Sequence, residues 1–419
     1  MHVNQRPVRL IVTDDLQRNR WTVFFRLLLA LPHLVWLGLW GVAALVAVIV
    51  NWFAALFTGQ SPQGLHDFLA AYVRYAIHVS AYLFLAANPF PDFLGKPGYP
   101  VDVEIAPPVP QNRWKVFFRI ILAIPALLLA GALTTSGARN YGVNYGFGLL
   151  GVVSFLGWFA ALARASMPRG LRDAMAYALS YTAQLDAYLF LLTDRYPNSD
   201  PQIAIGELPA RADPISLDAG AARLERSRLT VFFRLLLVLP HIVWLALWGI
   251  AAVLVVIVDW FATLINGRSP DALHRFLAAY VRYQTHVYGY LYLIANPFPG
   301  FTGKVDSYPV ELSIEGPRTQ NRWTVLFRIF LVIPAGLIAG AYGGVLYVVA
   351  LLGWFTGLFT ARMPLGLRNV GALALRYSAQ TSGYVYLLTD AYPYSGPLAI
   401  TPIVPIPAPP APQVSPSTL

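Results

Sequence analysis

One unit written four times constrains this chain more than any other feature. NRWTVFFR (19–26) returns as NRWKVFFR (112–119), SRLTVFFR (227–234) and NRWTVLFR (321–328). A second marker follows each copy: NWFAALFTGQSP, GWFAALARASMP, DWFATLINGRSP and GWFTGLFTARMP. A third closes it: AYLFLAANPFP, AYLFLLTDRYP, GYLYLIANPFP and GYVYLLTDAYP. Residues 22–52 and 230–260 agree at most positions, and the even copies resemble each other in turn. The pattern reads as the duplication of a duplication. It divides the chain into units 1–98, 99–205, 206–306 and 307–396, with a tail over 397–419.

The unit is oily. Of 419 residues, 57% are hydrophobic and 12% charged, about half the charge of an ordinary soluble domain. Several apolar runs reach the roughly 20 residues that cross a bilayer. The opening MHVNQRPVRLIVTDD is polar, so the first apolar segment is expected to stay as an anchor and not to be cleaved as a signal peptide. With no cysteine, disulfides, thiol catalysis and cysteine-bound zinc or iron–sulfur clusters are excluded. The net charge of +10 reads as the basic bias of cytoplasmic loops, not as nucleic-acid binding.

The second copy suggests how the unit is threaded. A polar insert, TTSGARNYGVNY (134–145), stands between two apolar runs. The first copy has only Gly41 there and the fourth has Gly343-Gly344. The run 21–57 is therefore predicted to be a helical hairpin of two short spans. Each hairpin is followed by a third helix, about 62–88 in the first copy. Leu65, Phe68, Leu69, Tyr72, Ala76, Val79 and Leu83 fall on one face of it, and His66, Asp67, Arg74 and His78 on the other. That pattern suits a helix lying in the interface or packed on the rim of a bundle. Alternating segments precede the hairpins: VRLIV (8–12), VDVEI (101–105), ISLDA (215–219) and VELSI (310–314). They read as strands, able to form one small cytoplasmic sheet. Arginines gather at both ends of each hairpin and avoid the turns, Arg139 excepted, so the positive-inside rule places both termini in the cytoplasm. The expected fold is an all-α polytopic protein of the inner or plasma membrane. It has four tandem hairpins (about eight transmembrane helices), four interfacial helices and short cytoplasmic strands.

The R-x-x-V-F-F-R entry, the mid-run proline, W-F-x-x-L with a following proline, and the closing Y-L-x-L…P-F-P resemble the domain-of-unknown-function 4389 family of bacterial membrane proteins. The resemblance covers nearly the whole chain except its first residues, the 197–225 linker and the tail. It implies membrane residence and hairpin units, and it carries no activity with it.

Arg26, Arg119, Arg234 and Arg328 recur in all four units. They are expected to snorkel to headgroups beside Trp21, Trp114 and Trp323, or to form a ring that binds anionic lipid. In a hairpin Arg234 would face Asp259 at equal depth and form an ion pair, with Arg26 and Asn51 as the neutral counterpart. Pro32, Pro125, Pro240 and Pro334 recur as shape-setting residues. His33 and His241 occur only in odd units, where Ala126 and Ala335 replace them in the even ones. They either cap a carbonyl freed by the proline or take a proton or ligand. The polar stripe of the third helix (Arg74, His78, Arg282 and His286) reads as a solvated or headgroup face. Gly131 and Gly340, each within Ala-Gly-Ala, suggest close helix packing.

No nucleotide loop, catalytic triad or zinc helix appears, so no cofactor and no enzymatic activity are expected. Clustering of Asp14, Asp15, His66 and His78 would revive an enzymatic reading. The favoured role is structural or accessory, organising lipid or a partner that docks on the proline-rich tail. The alternative is a transporter or channel with a site near His33, His241, Asn51 and Asp259.

Overall fold

A computed structural model describes residues 6–134, 148–205, 208–220 and 224–399 of the chain. Most of the unit-2 insert and the end of the tail lie outside the described residues. Each unit opens with a five-residue entry helix: α1 (Arg20–Phe24), α4 (Arg113–Phe117), α8 (Arg228–Phe232) and α11 (Arg322–Leu326). Asn19, Asn112 and Asn321 cap three of these by accepting backbone N–H groups with their side chains, which satisfies donors a helix start leaves free.

The long apolar runs are not hairpins. Units 1, 3 and 4 each carry one uninterrupted helix of 33 residues: α2 (Arg26–Thr58), α9 (Arg234–Asn266) and α12 (Arg328–Thr360). In unit 2 the run is divided into α5 (Arg119–Leu133) and α6 (Leu149–Arg164), on either side of the insert. The physical reason is the missing breaker. A lone glycine inside a helix costs about 1 kcal/mol relative to alanine, and no turn residue stands beside Gly41. Turning there would break several consecutive backbone bonds. The prolines lie inside helices that continue past them. The three uninterrupted helices are long and apolar enough to cross a membrane.

The third helices are α3 (Gln63–Leu83), α7 (Arg169–Leu189), α10 (Asp271–Leu291) and α13 (Leu365–Val385). They form the core and not an interfacial rim: α7 and α13 are buried almost all round. The long helices bury only a narrow stripe, in α2 Arg26, Ala30, His33, Ala44, Ala47, Asn51 and Ala55. The predicted strands form, as β1 (Val8–Val12), β2 (Val101–Ile105), β3 (Ile215–Asp218) and β4 (Glu311–Ile314). They do not join one sheet. β1 pairs antiparallel with β2, with Leu10 opposite Val103 at the centre, and β3 pairs with β4.

These two ribbons show how the units associate. Units 1 and 2 form one pair and units 3 and 4 another, each joined through its ribbon. Across the first pair Trp52 Nε1 donates to the Val116 carbonyl (3.0 Å) and Trp158 Nε1 to that of Val23 (3.2 Å). In the second, Trp260 Nε1 donates to Val325 (2.8 Å). The pairs join where α12 packs on α5 and α6. The Ala-Gly-Ala segments do not carry close packing: a Cβ built on Gly131 or Gly340 meets nothing within 4 Å.

Candidate functional site

The four recurrent arginines turn inward. Arg26 donates to the carbonyls of Tyr82 (2.7 Å) and Ala87 (2.9 Å) and to Asn88 Oδ1 (3.1 Å), and its guanidinium lies 4.3 Å above the Tyr82 ring. Arg234 repeats this on Tyr290, Ala295 and Asn296. Arg119 takes the Thr193 carbonyl and Gln111, and Arg328 the Tyr384 and Thr389 carbonyls and Gln320. All four are buried, so they neither snorkel nor form an anion-binding ring. Each clasps the turn that ends a third helix. That turn puts a leucine in the left-handed region in every unit: Leu85, Leu191, Leu293 and Leu387, with φ between 60° and 65°. A side chain rarely adopts this conformation, and the buried donors hold it in place.

The expected Arg234–Asp259 ion pair is absent, because both residues sit on one continuous helix, about 37 Å apart at 1.5 Å per residue. The Arg26–Asn51 counterpart fails for the same reason. Carboxylates instead reach the even-unit arginines: Asp194 lies 3.5 Å from Arg119 and Asp390 lies 3.1 Å from Arg328.

The odd-unit histidines occupy aromatic cages. His33 Nδ1 is 2.7 Å from the Tyr75 hydroxyl, and its ring lies 4.3 Å from both Phe90 and Phe93. His241 does the same with Tyr283, Phe298 and Phe301. Neither caps a proline-freed carbonyl as expected, because the tyrosine hydroxyl takes the ring nitrogen instead. Burial raises the Tyr75 and Tyr283 phenols well above their ordinary range, so both remain protonated at neutral pH. Trp36 and Trp244 lock the loops over the cages by donating to the Phe93 and Phe301 carbonyls at 2.9 Å.

Asn51 and Asp259 lie about 27 Å along the helix from these histidines, so the odd-unit polar residues do not converge on one site. Asn51 is paired at both ends of its amide: Nδ2 donates to the Phe190 carbonyl (3.1 Å), and Oδ1 accepts from Ser61 (2.6 Å). Asp259 accepts from Ser269 (2.8 Å) and Thr263 (3.3 Å) on Oδ1, but its buried Oδ2 has no donor. In unit 1 the amide at the equivalent position, Asn51, donates to a carbonyl, so Asp259→Asn is expected to raise stability by about 1–3 kcal/mol, the usual cost of an unsatisfied buried polar atom. Thermal unfolding tests this; an unchanged or lowered midpoint contradicts it.

The third-helix stripe is not solvated. His78, Arg282 and His286 are buried and Arg74 half-buried against the ribbons, which supply partners for their polar groups. Arg74 Nε donates to the Val103 carbonyl (3.0 Å), and His78 Nε2 lies 2.8 Å from Asp102 Oδ1. In unit 3, Arg282 Nε donates to the Leu312 carbonyl (3.0 Å), and Glu311 lies 3.0 Å from Arg282 and 3.5 Å from His286. Asp14 pairs with Arg18, His66 lies at the opposite end of α3 from His78, and the four residues of the enzymatic reading do not cluster. Among the described residues no three of His, Asp and Glu are placed to hold a metal ion.

Burial, aided by the Arg282 charge, pulls His286 down to about 4, against about 6.5 in an unfolded chain. Between these values the unfolded state holds the proton and the folded state does not. His286 thus contributes stability that is full above about pH 6.5 and is lost as pH falls towards 4. Burial raises Glu311, and its earlier proton uptake offsets part of that loss. His286→Asn is expected to flatten the fall in unfolding temperature between pH 6.5 and 4; an unaltered acid limb would refute it.

The ribbons also border a feature that the sequence did not reveal. A cleft of about 550 Å³ opens between β3, β4 and α13, lined by Arg211, Asp213, Arg368 and Arg376 among others. Its arginines are already engaged: Arg211 with Asp213, Arg368 with the Gly220 carbonyl, and Arg376 with that of Gly396.

Comparison with known proteins agrees with the fourfold plan. The family described as Domain of unknown function (DUF4389) matches residues 20–94, 144–199, 228–302 and 322–395, and in unit 2 the match begins within the insert. No curated protein and no solved structure matches the chain. With one matched segment in each of its four units, the chain belongs to the DUF4389 family.

Proposed function

We propose that this protein is an integral membrane protein with a structural or accessory role, organising lipid or a protein partner and transporting nothing. The observation that carries the reading is where its polar groups go. The arginines are consumed by the chain's own carbonyls, and the histidines are sealed in aromatic cages. The long helices meanwhile expose leucine, isoleucine, valine and phenylalanine along their whole length. Contiguous apolar surface of this extent marks a membrane or protein contact. The basic entry residues Arg20, Arg113 and Arg228 are exposed and suit anionic headgroups on the cytoplasmic side, with both termini on that side. The proline-rich tail is the segment best suited to hold a partner.

Two measurements test this. The protein should remain with native membranes through an alkaline carbonate wash; release into the wash would remove the membrane reading. Purified into proteoliposomes, it should pass ions no faster than empty vesicles. A flux abolished by His33→Ala with His241→Ala would replace the accessory reading with a transporter.

A further inference from the structure

Each long helix begins where its partner's long helix ends. In the first pair Arg18 N donates to the Ala165 carbonyl and Met167 N to that of Leu16 (2.9 and 2.8 Å), so the entry to α1 is stitched to the exit of α6. At the other end Gln111 N donates to the Gly59 carbonyl (2.8 Å), stitching the entry to α4 onto the exit of α2. The second pair repeats both stitches: Arg226 N to Ala361 and Met363 N to Leu224, then Gln320 N to Gly267 (all 2.8 Å). The two long runs of a pair are therefore antiparallel and tied at both ends.

The ribbon stands at the middle of this arrangement. Gly41, midway along α2, faces the Tyr72 hydroxyl. Two residues on from Tyr72, Arg74 donates to Val103 at the centre of the ribbon. The outer face of the ribbon carries Arg9 and Glu104, which pair at 2.7 Å with their side chains 61% and 55% exposed. If α2 stood across a bilayer, its middle would lie at the midplane, and so would the ribbon. Two exposed charged side chains, with Arg74, His78 and Asp102 beside them, would then sit at the depth where charge is most costly. The lengths disagree as well: 33 residues make about 50 Å of helix against about 30 Å of hydrocarbon.

We propose that the long helices lie in the plane of the membrane, embedded as an apolar raft in one leaflet, with the ribbons facing water on one side. Every entry and exit of a long helix then lies at the same depth. The exposed positions Leu27, Leu28, Leu31, Val35, Leu39, Val42, Leu45, Val46, Ile49 and Phe53 of α2 share one face, about a third of the helix circumference at roughly 100° per residue. The narrow buried stripe lies on the opposite side. The arrangement also accounts for arginines at both ends of the long runs of units 2, 3 and 4 without any hairpin.

The inference rests on the membrane reading above, and the experiment separates the two. The chain has no cysteine, so single cysteines can be introduced as Gln17→Cys at the start of unit 1, Gln60→Cys at the end of α2 and Glu104→Cys on the ribbon, all exposed positions. Sealed native vesicles of both orientations are treated with a membrane-impermeant maleimide. All three sites are expected to react from the same face. Reaction of Gln17→Cys and Gln60→Cys from opposite faces would establish a spanning helix and overturn the proposal. Nitroxides at Leu28→Cys, Val42→Cys and Phe53→Cys should report equal depth by oxygen and nickel collision; a depth profile peaking at residue 42 would equally overturn it. Release of the same variants by carbonate would remove the membrane reading itself.

Discussion

Arg234→Ala is expected to destabilise the protein by about 3–5 kcal/mol, because several buried acceptors lose their donor at about 1–3 kcal/mol each. The guanidinium donates to the Tyr290 and Ala295 carbonyls and to Asn296. Its loss leaves buried acceptors without their charged donor, removes the contact with the Tyr290 ring and frees the turn that holds Leu293 at φ 63°. Arg234→Lys should recover only part of the loss, because one ammonium cannot reproduce the planar fork. Denaturant unfolding in detergent measures both. A cost below about 1 kcal/mol for the alanine variant would mean that the clasp is dispensable, in line with a snorkelling anchor. Arg26→Ala should behave in the same way.

Gly303→Ala should cost about 2–5 kcal/mol. Gly303 sits at φ +57°, and a Cβ there would meet the Ala279 carbonyl at 2.2 Å and Tyr283 N at 2.8 Å. Both belong to the backbone of α10, which cannot yield without breaking helix bonds. The estimate combines about 1–2 kcal/mol for the left-handed conformation with about 1–3 kcal/mol for overpacking. The same loop carries Phe301 onto His241 and its carbonyl onto Trp244, so the variant should also shift tryptophan fluorescence. Gly300→Ala, where a Cβ meets nothing within 4 Å, is the control. Equal stability of the two variants would show that the loop is not pinned at Gly303.

Periodicity was a sound guide wherever the local pattern and the tertiary environment agreed. The alternating segments are strands within one residue of their expected bounds, and the third helices begin just after the prolines that mark them. The failures share a cause. The hairpin reading used one copy's insert to interpret the others, although a glycine inside an apolar helix is far weaker than a polar insert. The Arg234–Asp259 pair was built on that hairpin and fell with it. The polar stripe is ambiguous in the sequence because a helix face of His, Arg and Asp looks the same whether it meets water or a strand. Only the packing of β2 on Arg74 and His78 distinguishes the two.

The amino-acid sequence by itself determined the fourfold unit, its apolar and polar segments, and which residues each copy needs, because repetition within one chain compares the copies directly. Tertiary structure alone decided where the arginines point, how the units pair and which ends of the long helices meet. Those outcomes rest on hydrogen bonds to backbone carbonyls some 60 to 150 residues away, as from Arg26 to Tyr82 and from Arg18 to Ala165. A carbonyl is common to every residue and leaves no mark in the sequence.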